Sequence, residues 1–295
     1  MKKIILIILF FNYLIFGHPL IQLDISDKSP NQGTAIWINV KASKKLKSGN
    51  VFLNKKKFKF FNKDNTGNQS SYNYLTCIGI SRYLKPQTTE LNFKFNFDDG
   101  SSYSTQIPLQ IKSANFKKEH ITLKPKKRKL NQNKTKRKSD SKIINKHFNV
   151  ISKTKQFSDR FIWPLKGRVT SEYGTQRVYN NKPGWSHSGI DISEITGKPI
   201  MASHDGTVIL AERLTIHGNS IMIDHGWGII SIYNHLDQIS VKTNDNVKKG
   251  DHIGTVGSTG VATGSHLHFG ISIQSIRVNP RSWIEKTSES VFFFN

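Results

Sequence analysis

The stretch Ser265-His266-Leu267-His268-Phe269-Gly270 decides how this chain reads. In a strand, residues two apart face one side. His266 and His268 would then project together, with Cα atoms about 7 Å apart, while Leu267 and Phe269 face a core. Alone, an H-x-H pair fits either a shared metal or proton-handling site or two solvent-facing strand histidines. Upstream, His187-Ser188-Gly189-Ile190-Asp191-Ile192 alternates like a strand entered from a loop. Residues four apart in an extended strand are separated by about 13 Å, so His187 and Asp191 converge only if the chain bends, which Gly189 permits. Burying Asp191 between isoleucines costs on the order of several kcal/mol without a cation, and a metal would be that cation. Ile232-Tyr233-Asn234-His235-Leu236 is a third strand-like stretch, with Tyr233 and His235 expected on one face.

Together these segments resemble the lysostaphin-type, or LytM-like, zinc metallopeptidases, the peptidoglycan endopeptidase family. The resemblance runs from Trp163 to Trp283. It rests on H-x-x-x-D at His187 to Asp191, H-x-H at His266 to His268 and Y-x-H-L at Tyr233 to Leu236. Further landmarks are Gly167 to Gly174, Asp205-Gly206-Thr207-Val208, Ile223-Asp224-His225-Gly226 and the glycines between Gly254 and Gly264. The resemblance implies zinc held by His187, Asp191 and His268, with His235 and His266 as the catalytic pair. Three such ligands leave a fourth position for water, whose pKa zinc lowers toward about 7. His266 would take the proton from the attacking water, and His235 would hydrogen-bond that water or the tetrahedral oxygen. Tyr233, Asn219 and Arg177 are candidates for bordering the substrate groove, Arg177 by meeting a peptide-stem carboxylate. His225 reads as a turn or core residue, and His204, His217 and His252 as surface or loop.

Composition bounds the rest. The chain has 295 residues, room for about two domains, and 18 Phe, 8 Tyr and 5 Trp, too many aromatics for disorder throughout. Its one cysteine, Cys77, excludes an internal disulfide and any cysteine-rich zinc module, and reads as a buried, inert thiol. Residues 1–17 read as an export signal, with Lys2 and Lys3 before an apolar run to Phe16 and cleavage expected near Gly17. That run would reach about 20 Å as a helix, against roughly 30 Å of hydrocarbon, so no permanent membrane span is expected. Export places the protein in the periplasm or cell envelope and removes nucleic acid as a partner.

Residues 18–115 alternate in short runs separated by turn signals, as in a small antiparallel β-sandwich resembling the Ig-like modules of some envelope endopeptidases. The fold is therefore expected to be mainly β. From Lys112 to Lys155 the chain carries 16 Lys and Arg against 2 acidic residues, most of the formal net charge of +24. Residues 116–158 accordingly read as an extended, self-repelling linker, either a solvated tether or a docking element for anionic envelope polymers. The peptidase domain is expected over 159–286 and a tail over 287–295. The expected substrate is the peptide crosslink of peptidoglycan, D-alanyl rather than glycine-bridge, since no wall-targeting SH3 module is recognisable. The alternative is an inactive family member that activates other wall hydrolases.

Overall fold

In Thr88–Phe97 the side chains of Leu91, Phe93, Phe95 and Phe97 are buried at every second position, the period of a strand with one face in a core. The computed structural model describes residues 20–63 and 71–287. The leader read over residues 1–17 and the tail beyond Thr287 lie outside the described residues. No helix among the described residues is long and apolar enough to cross a membrane.

The N-terminal part forms two four-stranded antiparallel sheets. One has the order β1 (Ile21–Ile25), β2 (Ala35–Ala42), β6 (Tyr72–Gly79), β5 (Phe61–Asn62). The other has the order β4 (Lys56–Lys59), β3 (Leu46–Leu53), β7 (Thr88–Phe97), β8 (Ser102–Gln110). Ile36, Ile38 and Val40 of the first meet Val51, Leu53, Phe93 and Phe95 of the second in one core. Cys77 is buried, and that burial pushes its thiol well above the ordinary range.

The C-terminal part is built on a large sheet. Its order is β10 (Arg168–Ser171), β13 (Ile190–Ser193), β20 (His266–Ile273), β17 (Ile229–Leu236), β16 (Gly218–Asp224), β15 (Gly206–Leu214), β18 (Asn246–Val247), and β21 (Ile276–Val278) also pairs with β20. On one face Leu267, Phe269, Ile271 and Ile273 enter the core with Ile190, Ile192 and Tyr233. The other face presents His268, Asn234, Gly270 and Ile232, as the register of β17 with β20 requires.

The two parts share a core. Trp37 of β2 lies 6.1 Å from Trp283, and Phe61 stacks on Trp227 at 5.3 Å between ring centroids. Gln274 closes the contact with its side-chain amide. It donates to Thr76 Oγ1 at 2.9 Å and to the Lys59 and Cys77 carbonyls, and accepts from Lys59 N at 2.8 Å.

The basic stretch is not an extended tether. Lys118–Ile121 (β9) pairs in parallel with β11 (Gln176–Tyr179), which forms a hairpin with β12 (Lys182–Ser186). Two helices follow, α1 (Pro125–Gln132) and α2 (Lys134–Phe148). Pro125 opens α1 where its missing N–H is not needed, and Asn133 caps α2 by accepting from Lys136 N at 2.9 Å. Lysine itself is a good helix former. Asp140, Ile144 and Phe148, four residues apart, make one buried stripe, and the two apolar members pack on Leu210, Met222, Ile230 and Ile232. The helix thus covers sheet surface beside His268, while its lysines remain outside.

Candidate metal centre

Asp191 is the second residue of β13 and pairs with His268 of β20, which brings these side chains together on one face. His187 lies in the loop before β13, and the bend at Gly189 returns it to the same place. A side chain at position 189 could not be accommodated, since its Cβ would lie 2.2 Å from the Phe269 carbonyl oxygen and 2.9 Å from His268 Nε2. His187 Nε2, His268 Nδ1 and Asp191 Oδ1 are 2.9 Å from one another. All three residues are buried.

Proton bookkeeping decides what this cluster can hold. His187 Nδ1 lies 3.0 Å from the Glu172 carbonyl, which only accepts, so in the neutral ring the proton sits there and Nε2 carries a lone pair. Two imidazole nitrogens and a carboxylate oxygen then face one another with at most one proton among them, that on His268 Nδ1, an arrangement that a cation relieves. Zinc–nitrogen and zinc–oxygen bonds of about 2.0–2.2 Å fit such a set of two imidazoles and a carboxylate. Burial alone would raise Asp191, but His187 and His268 outweigh it and hold the carboxyl well below its ordinary range. Burial pushes His268 down to about 3, against the pull of Asp191, so its ring is neutral at physiological pH.

Two more histidines flank the cluster. The ring of His235 lies 5.0 Å from that of His266 and 6.1 Å from that of His268, and His266 Nε2 is 3.7 Å from Asp191 Oδ1. His266 Nδ1 faces the Gly264 carbonyl at 2.9 Å, and His235 Nδ1 faces the Thr259 carbonyl at 2.8 Å. In each neutral ring Nδ1 donates, leaving Nε2 as an acceptor. A water would therefore give its hydrogen bond to His235. Burial, with His266 and His268 nearby, lowers His235 well below the ordinary histidine range.

Strict alternation would put His235 on the same face as Tyr233. It does not, because His235 has φ 67°, a left-handed conformation that turns its side chain toward the cluster. Its backbone N–H donates to the His217 carbonyl at 2.9 Å. The loops behind it are drawn tightly together. A Cβ on Gly260 would lie 2.4 Å from both the Ile216 carbonyl oxygen and Gly218 N. Helices α1 and α2 hold these same loops from outside. Lys127 Nζ donates to the Ser258 carbonyl at 3.1 Å and to the Gly260 carbonyl at 2.5 Å. Asp140 accepts from Thr215 N at 3.0 Å, Ile216 N at 2.7 Å and His217 Nδ1 at 3.1 Å.

The remaining candidates divide. Tyr233 is no groove residue: it is fully buried, and its hydroxyl faces the core, accepting from Ser203 N at 2.9 Å and Ser231 Oγ at 3.0 Å. Arg177 donates through Nη2 to Asp191 Oδ2 and, at 3.0 Å, to Ser171 Oγ, so its nearest carboxylate belongs to the chain itself. That contact leaves Asp191 Oδ1 facing the histidines. Glu119, which no pattern pointed to, accepts from Ser171 Oγ at 2.9 Å and lies 3.7 Å from Arg177 Nε. Asn219 stands half-buried on β16, with its side-chain amide on the Asp237 carbonyl at 2.7 Å.

His225 is a core residue as expected, held by the Asp205 carbonyl at 2.7 Å and Ser231 Oγ at 2.8 Å. His204 is not on the surface. It is buried between Phe161 and Asp159 and meets the Asp159 carboxylate at 2.6 Å. His252 is exposed, and His217 is half-buried against Asp140.

Residues 185–280, which contain the His187, Asp191, His235, His266 and His268 positions, match Peptidase family M23. The chain carries an M23 peptidase domain. An uncharacterized metalloprotease of Buchnera aphidicola is 37% identical to this chain over 141 residues, which are 47% of the chain and 37% of that protein. The DD-carboxypeptidase/endopeptidase Mpg of Neisseria meningitidis is 39% identical over 123 residues, 41% of the chain and 28% of Mpg. The matched stretches thus span 37% and 28% of these two relatives' length. A solved peptidase M23 structure from Pseudomonas aeruginosa superimposes with a TM-score of 0.58 at 22% identity, covering 82% of this chain and 88% of that one. The likeness in fold therefore extends beyond the M23 domain.

Proposed function

We propose that this protein is an exported zinc metalloendopeptidase that hydrolyses peptide crosslinks of peptidoglycan. The observation that carries the reading is the convergence of His187 Nε2, Asp191 Oδ1 and His268 Nδ1 at 2.9 Å, flanked by the imidazoles of His235 and His266. The name of the related Neisseria enzyme, a DD-carboxypeptidase/endopeptidase, supports the substrate class and favours a D-alanyl bond. Zinc, when bound, supplies an acidified water and a Lewis acid for the scissile carbonyl.

The protein's own part is to hold the five side chains and to move a proton. His187, Asp191 and His268 would be the ligands. Arg177 fixes the Asp191 carboxylate through its outer oxygen and offsets its charge. His266, with its Nδ1 proton spent on Gly264, presents a basic Nε2 at the more open edge of the cluster and takes the proton of the attacking water. His235 accepts a second hydrogen bond and orients that water. His266, once protonated, returns its proton to the leaving amine.

The test is incubation of the purified, zinc-loaded protein with defined crosslinked muropeptide dimers, followed by mass analysis, beside a His187→Ala control. Cleavage of the dimer by the wild type alone is expected. Dimers left intact by zinc-loaded wild type would refute hydrolysis and favour an activator of other enzymes.

A further inference from the structure

Arg277 is a charged group in an unusual place. It pairs with Ser272 across β20 and β21, so it stands on the sheet face that carries Gly270 and His268. A Cβ on Gly270 would lie 3.0 Å from Arg277 Nη1, so the guanidinium lies close over that glycine, two residues along the strand from His268. From the other side the Phe148 ring covers it, at 4.4 Å. Arg277 Nη1 is buried without a hydrogen-bond partner, and among the described residues no carboxylate forms an ion pair with it.

A second arginine adds to the anomaly. Arg82, from the loop after β6, reaches across to donate to the Ser186 carbonyl at 3.3 Å, next to His187. Its Cζ is 5.3 Å from the Tyr173 ring, and the Tyr173 hydroxyl donates to the Arg277 carbonyl at 2.8 Å. Arg82 Nε is likewise buried without a partner, and so is Ser272 Oγ on the face that Arg277 occupies. Burial, and secondarily Arg82, push the Arg277 guanidinium down to about 9. Two half-buried like charges, each with a buried nitrogen left unpartnered and no acid beside them, are unfavourable until an anion arrives. One stacked ring attracts a cation without neutralising it.

We propose that Arg277, backed by Arg82, receives a free carboxylate of the substrate peptide close to the amide that is cleaved. A guanidinium fork matches a carboxylate bidentately, and the Ser272 hydroxyl offers a further donor. The position suits a peptide whose reacting carbonyl lies at His268, because Gly270 is about 7 Å further along the strand, the length of about two extended residues. This inference rests on the proposed hydrolysis of peptide crosslinks and specifies which of them are preferred.

The experiment uses two synthetic crosslinked peptides that differ only in whether the carboxylate next to the scissile amide is free or amidated. Zinc-loaded wild type, Arg277→Lys, Arg277→Met and Arg82→Met are compared by kcat/KM, with thermal melting as the folding control. Wild type is expected to favour the free carboxylate about tenfold or more. Arg277→Met should bring that ratio to about one, while Arg277→Lys and Arg82→Met retain part of it. An unchanged ratio in the folded variants, or an equal fall on both peptides, overturns the proposal.

In parallel, the affinity of each intact peptide for the His266→Ala variant is measured by calorimetry, with and without Arg277→Met. Tighter binding of the free carboxylate that disappears with Arg277→Met supports the site even if wild type cleaves neither peptide, a result that would refute only the hydrolysis. Equal affinities for the two peptides refute the site.

Discussion

Replacing Asp140 by alanine tests whether the basic segment is a folded part of the protein or a tether. Its carboxylate is buried and is the acceptor for Thr215 N, Ile216 N and His217 Nδ1. Burial favours its neutral form, but the bonds from His217, Ile216 and Thr215 outweigh it and lower its pKa, so the group is charged at neutral pH. Alanine leaves the N–H groups of Thr215 and Ile216 without an acceptor, at about 1–3 kcal/mol each, removes the longer bond from His217 N at 3.4 Å, and frees the helix face that Ile144 and Phe148 anchor. A loss of about 3–5 kcal/mol follows. For a protein of this size that is a fall in melting temperature of roughly 6–15 °C. Asp140→Asn keeps one acceptor oxygen and should fall between. The same loop supplies the carbonyl that fixes the His235 backbone, so activity should drop while bound zinc stays stoichiometric. The assays are thermal denaturation followed by circular dichroism, metal analysis and dimer cleavage. An Asp140→Ala protein that melts within a degree of wild type would mean that α2 is not docked, and the clamp on His235 would fall with it.

The other expectations concern separate parts of the molecule. His235→Ala and His266→Ala should each lower kcat by about 10²–10⁴ with zinc retained, whereas His187→Ala should lose the metal; metal content and turnover measured together distinguish the two roles. His225 is held neutral by burial, with a pKa of about 3, so the unfolded chain binds the extra proton and stability is lost as pH falls below about 6.5. At pH 5 that loss is about 2 kcal/mol relative to neutral pH, and denaturant titrations of metal-free His225→Gln should have a shallower slope than wild type between these pH values. Gln274→Ala removes the acceptor of Lys59 N and the donor to Thr76, and should cost about 2–3 kcal/mol in chemical denaturation. Unchanged dimer cleavage by the folded Gln274→Ala protein would confirm that this contact is structural.

The convergence of His187, Asp191 and His268 was legible because its geometry is local. Gly189 permits the bend that joins His187 to Asp191, and strand alternation brings His268 to the same face. Alternation failed at His235 for a specific reason, its left-handed backbone, which no residue-type pattern announces in a histidine between Asn234 and Leu236. Tyr233, a candidate for bordering the groove, stayed on the core face when His235, two residues on, turned away. The helices were missed because charge density masked spacing. Ile144 and Phe148 lie beyond the densest lysines, and with Asp140 they form the i, i+4, i+8 stripe of a docked helix. A single acid within a basic run carried information that net charge conceals. The arginine pair at the junction of the two parts was out of reach, since Arg82 and Arg277 meet only through long-range packing.

The way the histidines are held bears on what the site prefers to bind. His187, His235 and His266 each give their Nδ1 proton to a loop carbonyl, of Glu172, Thr259 and Gly264 respectively. A carbonyl fixes the tautomer without adding a charge, whereas a carboxylate in that place would make the ring more basic and the site more negative. The one anionic member of the cluster, Asp191, is already matched by Arg177. A divalent ion held in this surrounding would therefore keep nearly all of its charge uncompensated by the protein. Under the proposed hydrolysis, that excess would favour an attacking hydroxide and a developing oxyanion over the neutral amide from which they arise, the differential binding that accelerates a reaction. Placing Arg277 on the same face extends the positive field along the bound peptide, so that a substrate with a carboxylate beside its scissile bond meets a site already short of negative charge.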